Sequence, residues 1–288
     1  MTNSGPILLR RGHIITDNIE DYPEGLVLAV DKPYRWTSAD VIRKLKWAAC
    51  RHFHKKNLKV GHAGTLDPLA TGLLLVCIGK ATRLAQSFQH SDKQYVAGVA
   101  FGATTPSYDR EKAVDRRFGL DGVREDRLRE ILPEFVGEQW QVAPLFSAKS
   151  VDGVRAYELA RKAYRDAERG GGEFDHSASE LLSRQWIRIS SLELLAWHCD
   201  ASFLRCAAPE QVSERSARIN VVPVPEDLPC ADIRIDCSKG TYIRALARDL
   251  GEAMGSGAFL YSLRRTRNAG FSIEDSLSLD EAAGLFRE

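Results

Sequence analysis

Gly61-His62-Ala63-Gly64-Thr65-Leu66-Asp67-Pro68-Leu69-Ala70-Thr71-Gly72 is the run on which the reading of this chain turns. It lies between two strand-like segments, one near Leu58–Val60 and a strong apolar one, Leu73–Ile78, which Gly79 ends. Gly61, Ala63, Gly64 and Gly72 let the backbone bend tightly or approach a ligand closely. Pro68 pushes Asp67 out of the helical region. A carboxylate held on a fixed turn suits nucleophilic work. Asp before Pro is also a common turn residue, so local chemistry leaves both roles open.

Upstream, Leu26–Val30 reads as a short strand stopped by Asp31-Lys32-Pro33, and the first 24 residues as a tail or an edge extension. Thr37 or Ser38 can cap a helix whose apolar positions are Val41, Ile42, Leu45 and Trp47-Ala48. That helix runs into Arg51-His52-Phe53-His54-Lys55-Lys56. Downstream, Lys80–Phe88 reads as helical and Tyr95–Phe101 as a strand. Arg124–Phe135 reads as an amphipathic helix with Leu128, Ile131, Leu132 and Phe135 on one face.

A loop over Pro144–Lys149 and a helix around Tyr157–Tyr164 lead into an irregular stretch at about residues 165–183. It contains the polar, glycine-rich run Asp166–Glu173, expected to be a flexible insertion. Strands are expected at Trp186–Ile189 and Leu192–Trp197, then a second irregular stretch at about 207–230, then the alternating strand Ile233–Cys237. A helix from Tyr242 to Met254, a hairpin-like segment Phe259–Phe271 and a short helix from Leu279 follow. This interleaving has no steady strand–helix period, which favours an α+β fold with a mixed sheet over a doubly wound one.

The 288 residues suit one large domain or two small ones. A net charge of +1 announces no nucleic-acid partner in bulk, yet a local cationic patch still acts on a phosphate within the screening length of ~10 Å. None of the six cysteines forms a CxxC pair, and no Cys/His spacing matches a zinc site. No run approaches the ~20 apolar residues of a membrane span, and Met1–Pro6 lacks a signal-peptide pattern. A reduced, cytoplasmic protein is expected.

The run Gly61–Gly72, followed by Gly79-Lys80-Ala81-Thr82-Arg83, resembles the signature of the TruB family of tRNA pseudouridine synthases. Further matches stand in that family's order. They are Asp31-Lys32-Pro33 with Thr37-Ser38, Asp92–Tyr95, Pro144–Lys149, Arg155–Arg161 and Ser238–Arg244. The resemblance covers about residues 25–275, interrupted by the two irregular stretches. It implies a pseudouridine synthase fold, a mixed and largely antiparallel sheet flanked by helices, occupying 25–275. An N-terminal extension (1–24) would precede it and a short C-terminal helix (276–288) follow. Many members of that family carry a C-terminal RNA-binding (PUA) domain, and a departure is expected here, with no full one.

The resemblance also implies an activity: isomerisation of the uridine at position 55, in the T-arm loop of tRNA, with no cofactor; no metal and a monomeric state are further expectations. The target base must leave its stack, at a cost of a few kcal/mol. Asp67 would be the catalytic carboxylate and Tyr95 the aromatic that stacks on the uracil. Arg244 would pair with the aspartate, holding its charge and direction. Tyr242 would be a second pocket residue, and His62 and Lys32 contacts to the RNA. The family loop often has Thr where this chain has Ala63.

Two basic clusters, Arg43, Lys44, Lys46, Arg51, Lys55, Lys56 and Lys59 before the Asp67 run and Arg264, Arg265 and Arg267 after it, are expected to form a phosphate track. A non-catalytic tRNA-binding or tRNA-folding protein on the same scaffold is the competing reading. Intact Asp67, Tyr95 and Arg244 argue against it.

Overall fold

The computed structural model describes residues 5–147, 150–151, 154–155, 158, 160, 162, 164, 184–206 and 218–287. The expected helix around Tyr157–Tyr164 is described only at residues 158, 160, 162 and 164, the glycine-rich insertion lies outside the described residues, and the second irregular stretch is described only from residue 218 onward. Among the described residues, no helix is long and apolar enough to cross a membrane.

In chain order the strands begin with β1 (Ile7–Leu9), β2 (Leu26–Lys32), β3 (Val60–Ala63), β4 (Thr71–Ile78) and β5 (Lys93–Phe101). Two short pairs follow, β6 (Ala103–Thr104) with β7 (Arg116–Arg117) and, beyond β8 (Gly137–Val142), β9 (Ser150–Val151) with β10 (Val154–Arg155). The rest are β11 (Arg184–His198), β12 (Cys230–Cys237), β13 (Ala258–Asn268), β14 (Phe271–Ser272) and β15 (Leu277–Ser278). The α-helices whose bounds fall among the described residues are α1 (Ser38–His52), α2 (Ala85–Gln89), α3 (Glu125–Ile131), α4 (Ile243–Ala253) and α5 (Leu279–Gly284). The chain divides into two compact units. One comprises Met1–Tyr95, Val212–Ile219 and Arg264–Glu288; the other comprises Val96–Gln211 and Asn220–Leu263.

In the first unit, β2 runs antiparallel to β4 from Leu26 opposite Ile78 to Lys32 opposite Gly72, and β3 pairs antiparallel with the same strand. The side chains of Leu26–Val30 and Leu73–Ile78 are almost wholly buried. Strands covered on both faces read as unbroken apolar runs, which is why both were visible in the sequence. The N-terminal extension is not a loose tail: β1 adds in parallel to β2 and buries Leu9. Helix α1 begins with a capping box. Thr37 Oγ1 accepts the Asp40 amide, and Asp40 Oδ2 accepts the Thr37 amide. The helix stops at His52, because His54 takes a left-handed φ of 52°.

In the second unit, β11 pairs antiparallel with β8 on one side and β12 on the other. The sequence suggested two strands here. Instead one strand of 15 residues carries register shifts between Ile189 and Ser191 and between Leu194 and Ala196. A bulge resets the side-chain alternation without ending the strand, so the pattern breaks while the ladder continues. Ala100, Ala103, Leu228, Cys230 and Phe259 form one of its buried clusters. The expected hairpin at Phe259–Phe271 is lopsided. A strand of 11 residues turns at Ala269-Gly270, both at positive φ, into the two-residue β14. The expected helix at Arg124–Phe135 is α-helical only to Ile131 and finishes as a 3-10 turn containing Pro133.

Candidate active site

Asp67 stands in the seven-residue connection from β3 to β4, in the first unit, and is half-buried. Its carbonyl accepts the Ala70 amide at 3.1 Å, closing a turn with Pro68 in the second place, where proline's fixed φ suits it. Of the four small residues read as loop-formers, Gly61 and Ala63 lie in β3 and do no turning. Gly64 (φ 89°) and Gly72 (φ 99°) do take conformations that disfavour a side chain. A Cβ on Gly72 would also sit 2.3 Å from the Arg265 carbonyl oxygen.

Four side chains from distant parts of the sequence hold this connection. Ser38, the first residue of α1, accepts the Leu66 amide (3.0 Å) and donates to the Leu66 carbonyl (3.2 Å). Lys32 Nζ donates to the carbonyls of Pro33 (3.0 Å), Trp36 (2.5 Å) and Pro68 (3.3 Å). Arg265 donates from Nε to Leu73 (2.8 Å) and from Nη2 to Gly64 (3.1 Å), and Asn268 Nδ2 donates to Ala63 (3.1 Å). All four are buried. Because β13 pairs in parallel with β4, Arg264 opposite Thr71 and Arg265 opposite Gly72, its polar side chains reach the base of the Asp67 turn.

Two expectations change here. Lys32 has no exposed surface to offer RNA. Burial pushes its pKa from 10.5 down to about 7, against the pull of the Asp67 carboxylate and with added repulsion from Arg265. Arg265 is 1% exposed and spends its guanidinium on carbonyls, so it leaves the expected phosphate track. Arg264 is half-exposed and paired with Asp31 at 2.7 Å. In the first basic cluster, Arg43 is held by Asp40 at 2.6 Å, Lys44 by Asp280 at 2.5 Å and Lys55 by Glu20.

His62 lies on β3, half-buried, and burial followed by repulsion from Arg265 lowers its pKa, so its ring is neutral at pH 7. Its Nδ1 is buried without a hydrogen-bond partner among the described residues. Tyr95 lies on β5, 7% exposed.

Tyr242 and Arg244 belong to the second unit. Tyr242 caps α4, and its backbone is clamped by Gln141, which accepts the Tyr242 amide (2.8 Å) and donates to its carbonyl (3.1 Å). Arg244, in the first turn of α4, is buried. It donates to the carbonyls of Ser107 (3.1 Å) and Phe146 (2.9 Å), with its Nε 3.9 Å from Asp109 Oδ2. Between Ser107 and Asp109, buried Tyr108 takes a φ of 55°, an uncommon state for a bulky residue. Asp109 fixes this bend by accepting the Ser107 hydroxyl (2.6 Å) and the Glu111 amide (2.9 Å). Nothing in the local sequence signals this bend.

The mixed, mostly antiparallel sheet with few helices is a pseudouridine synthase fold. A solved Cbf5–Nop10–Gar1 complex shares that fold over 97% of this chain and 63% of its own, at 22% identity and a TM-score of 0.56. Residues 51–195 match the TruB family pseudouridylate synthase N-terminal domain. The tRNA pseudouridine synthase B of Phocaeicola vulgatus is 42% identical over 260 residues, covering 90% of this chain and 92% of that one. The same-named protein of Bacteroides thetaiotaomicron is 43% identical over 257 residues, covering 89% and 91%. The chain belongs to the TruB family of pseudouridylate synthases.

Proposed function

We propose that this chain is a tRNA pseudouridine synthase, an isomerase that converts uridine 55 in the T-arm loop of tRNA to pseudouridine. The observation that carries the reading is the braced Asp67 turn, in a chain about 42% identical to a relative of that name over nine-tenths of its length. In the reaction the bond from C1′ to N1 breaks, the base rotates, and C1′ joins C5. N1 gains a proton and C5 loses one, so substrate and product are isomers.

Asp67 supplies the carboxylate that initiates the exchange. Its fixed direction matters because a reacting group held in place spares the entropy of finding it. Tyr95 stacks on the extruded uracil, an interaction of about 1–3 kcal/mol per base. Tyr242 is a second substrate-binding residue, and Arg244 is assigned as the charge partner of the catalytic aspartate. His62, neutral at pH 7, contacts the RNA. Lys32 is assigned to the turn rather than to RNA. Residues 25–275 form the catalytic domain, which works as a monomer on tRNA in the cytoplasm.

The test is to incubate the protein with unmodified tRNA and map pseudouridine, beside Asp67→Asn. The wild type should modify position 55 and the variant should give no product. Product from Asp67→Asn removes Asp67 from its role; no product from the wild type on any tRNA removes the reading.

A further inference from the structure

At the far end of α1 from the Asp67 turn lies a groove of about 880 Å³, formed by the C-terminal half of α1, the segment after it, and the end of α5 with the residues that follow. That volume accommodates a nucleotide. Trp47 stands in it 64% exposed, with the Arg51 guanidinium over its ring at 4.9 Å from the centroid. Lys44, Arg51, Lys56 and Arg287 line it, and no carboxylate does so among the described residues. Lys44 is engaged by Asp280 at 2.5 Å, so Arg51, Lys56 and Arg287 carry the positive field.

The floor is rigid. Phe286 is buried and packs edge-on against His52 and Phe53 at centroid distances of 6.0 and 6.1 Å, and His52 meets Phe53 at 4.8 Å. The large exposed ring is therefore presented by a fixed helix. An indole face beside several cations is the arrangement that binds unpaired nucleotides, the base on the aromatic and the phosphates on the cations. Concentrated positive charge with no lining carboxylate fits a polyanion better than a protein face.

We propose that this groove is a nucleotide-binding subsite that takes an unpaired nucleotide of the bound tRNA, with its base stacked on Trp47 and its phosphates on Arg51, Lys56 and Arg287. This rests on the tRNA reading above and refines the phosphate track into a site that also reads a base. Helix α1 sets the spacing. Its first residue, Ser38, is bonded to Leu66 beside Asp67, and nine residues at 1.5 Å each put Trp47 about 14 Å farther along the axis. One tRNA can engage both ends, so the subsite would help register the target loop on Asp67.

The experiment measures equilibrium binding of an unmodified tRNA transcript to the full chain and its variants, with ultraviolet cross-linking of the wild-type complex mapped by mass spectrometry. Trp47→Ala should raise Kd roughly tenfold. Trp47→Phe, which keeps an aromatic face, should recover most of that loss. The double variant Lys56→Gln with Arg287→Gln should reduce the slope of log Kd against log salt by about 1.4. The cross-link should fall within the peptide that carries Trp47.

An unchanged Kd for Trp47→Ala overturns the subsite, as does a Trp47→Phe variant as weak as the alanine one. A change in the protein's own sedimentation on Trp47→Ala, with Kd unaltered, gives the groove to a second copy and also overturns it. If Trp47→Ala does not fold, the wild-type cross-link and the phenylalanine variant decide. Failure of the parent reading is seen separately, as a wild type that makes no pseudouridine.

Discussion

The Ser38 hydroxyl both accepts the Leu66 amide (3.0 Å) and donates to the Leu66 carbonyl (3.2 Å), so the first residue of α1 is bonded twice to the residue preceding Asp67. Both groups on Leu66 belong to a buried residue, and neither reaches a strand partner there. Ser38→Ala strands an amide and a carbonyl away from water, each of which costs about 1–3 kcal/mol when left unsatisfied. We expect a loss of roughly 2 kcal/mol in urea unfolding and a fall in kcat on the order of tenfold, because the turn would lose its direction more than its ability to bind RNA. Single-turnover rates beside tRNA affinities check this; an affinity that drops while kcat holds would argue against the bracing role.

Arg265 illustrates what the amino-acid order conceals. In the run Arg264-Arg265-Thr266-Arg267 all three arginines look alike, a surface charge cluster. Only the parallel pairing of β13 with β4, almost 200 residues away in sequence, turns Arg265 inward while Arg264 stays out with Asp31. Lys32 is concealed for the same reason, since its three acceptors assemble only when the turn at Pro68 folds back over β2. By contrast the helix start at Thr37 and the buried runs in β2 and β4 depend on neighbours a few residues apart, and these were legible. The bend at Tyr108 left no trace, because nothing in a tyrosine foretells a left-handed φ.

Arg265→Met is expected to unfold the protein more readily by about 3 kcal/mol, since two buried carbonyls, Leu73 and Gly64, lose their donor. Its salt slope for tRNA binding should match the wild type, as the guanidinium touches no phosphate. A shallower slope would return Arg265 to the RNA surface.

The Lys32 ammonium has three N–H groups and three carbonyl acceptors. In the folded chain it loses its proton near pH 7, whereas in the unfolded chain it keeps it to about 10.5. Between those values the unfolded state holds more protons, so this group makes stability rise with pH. Fully present the gain reaches up to about 1.4 kcal/mol per pH unit, and it flattens below 7 and above 10.5. Lys32→Met should remove that slope. Chemical denaturation of both proteins from pH 6 to 9.5 reads it directly, and parallel curves would show that Lys32 titrates elsewhere.

Arg244 sits where a conservative change is informative. Its planar fork serves the carbonyls of Ser107 and Phe146 together, and the Nε edge faces Asp109. A lysine keeps the charge but has neither the reach nor the fork to satisfy both carbonyls at once. If Arg244 directs the Asp67 carboxylate as proposed, Arg244→Lys should cut kcat on the order of a hundredfold, with a smaller change in KM. A purely structural arginine predicts something else, a drop of a few kcal/mol in unfolding free energy with near-normal kcat in the fraction that folds. Measuring kcat and the urea midpoint on the same preparation separates these two outcomes, because the charge-partner role requires the rate to fall in protein that remains folded.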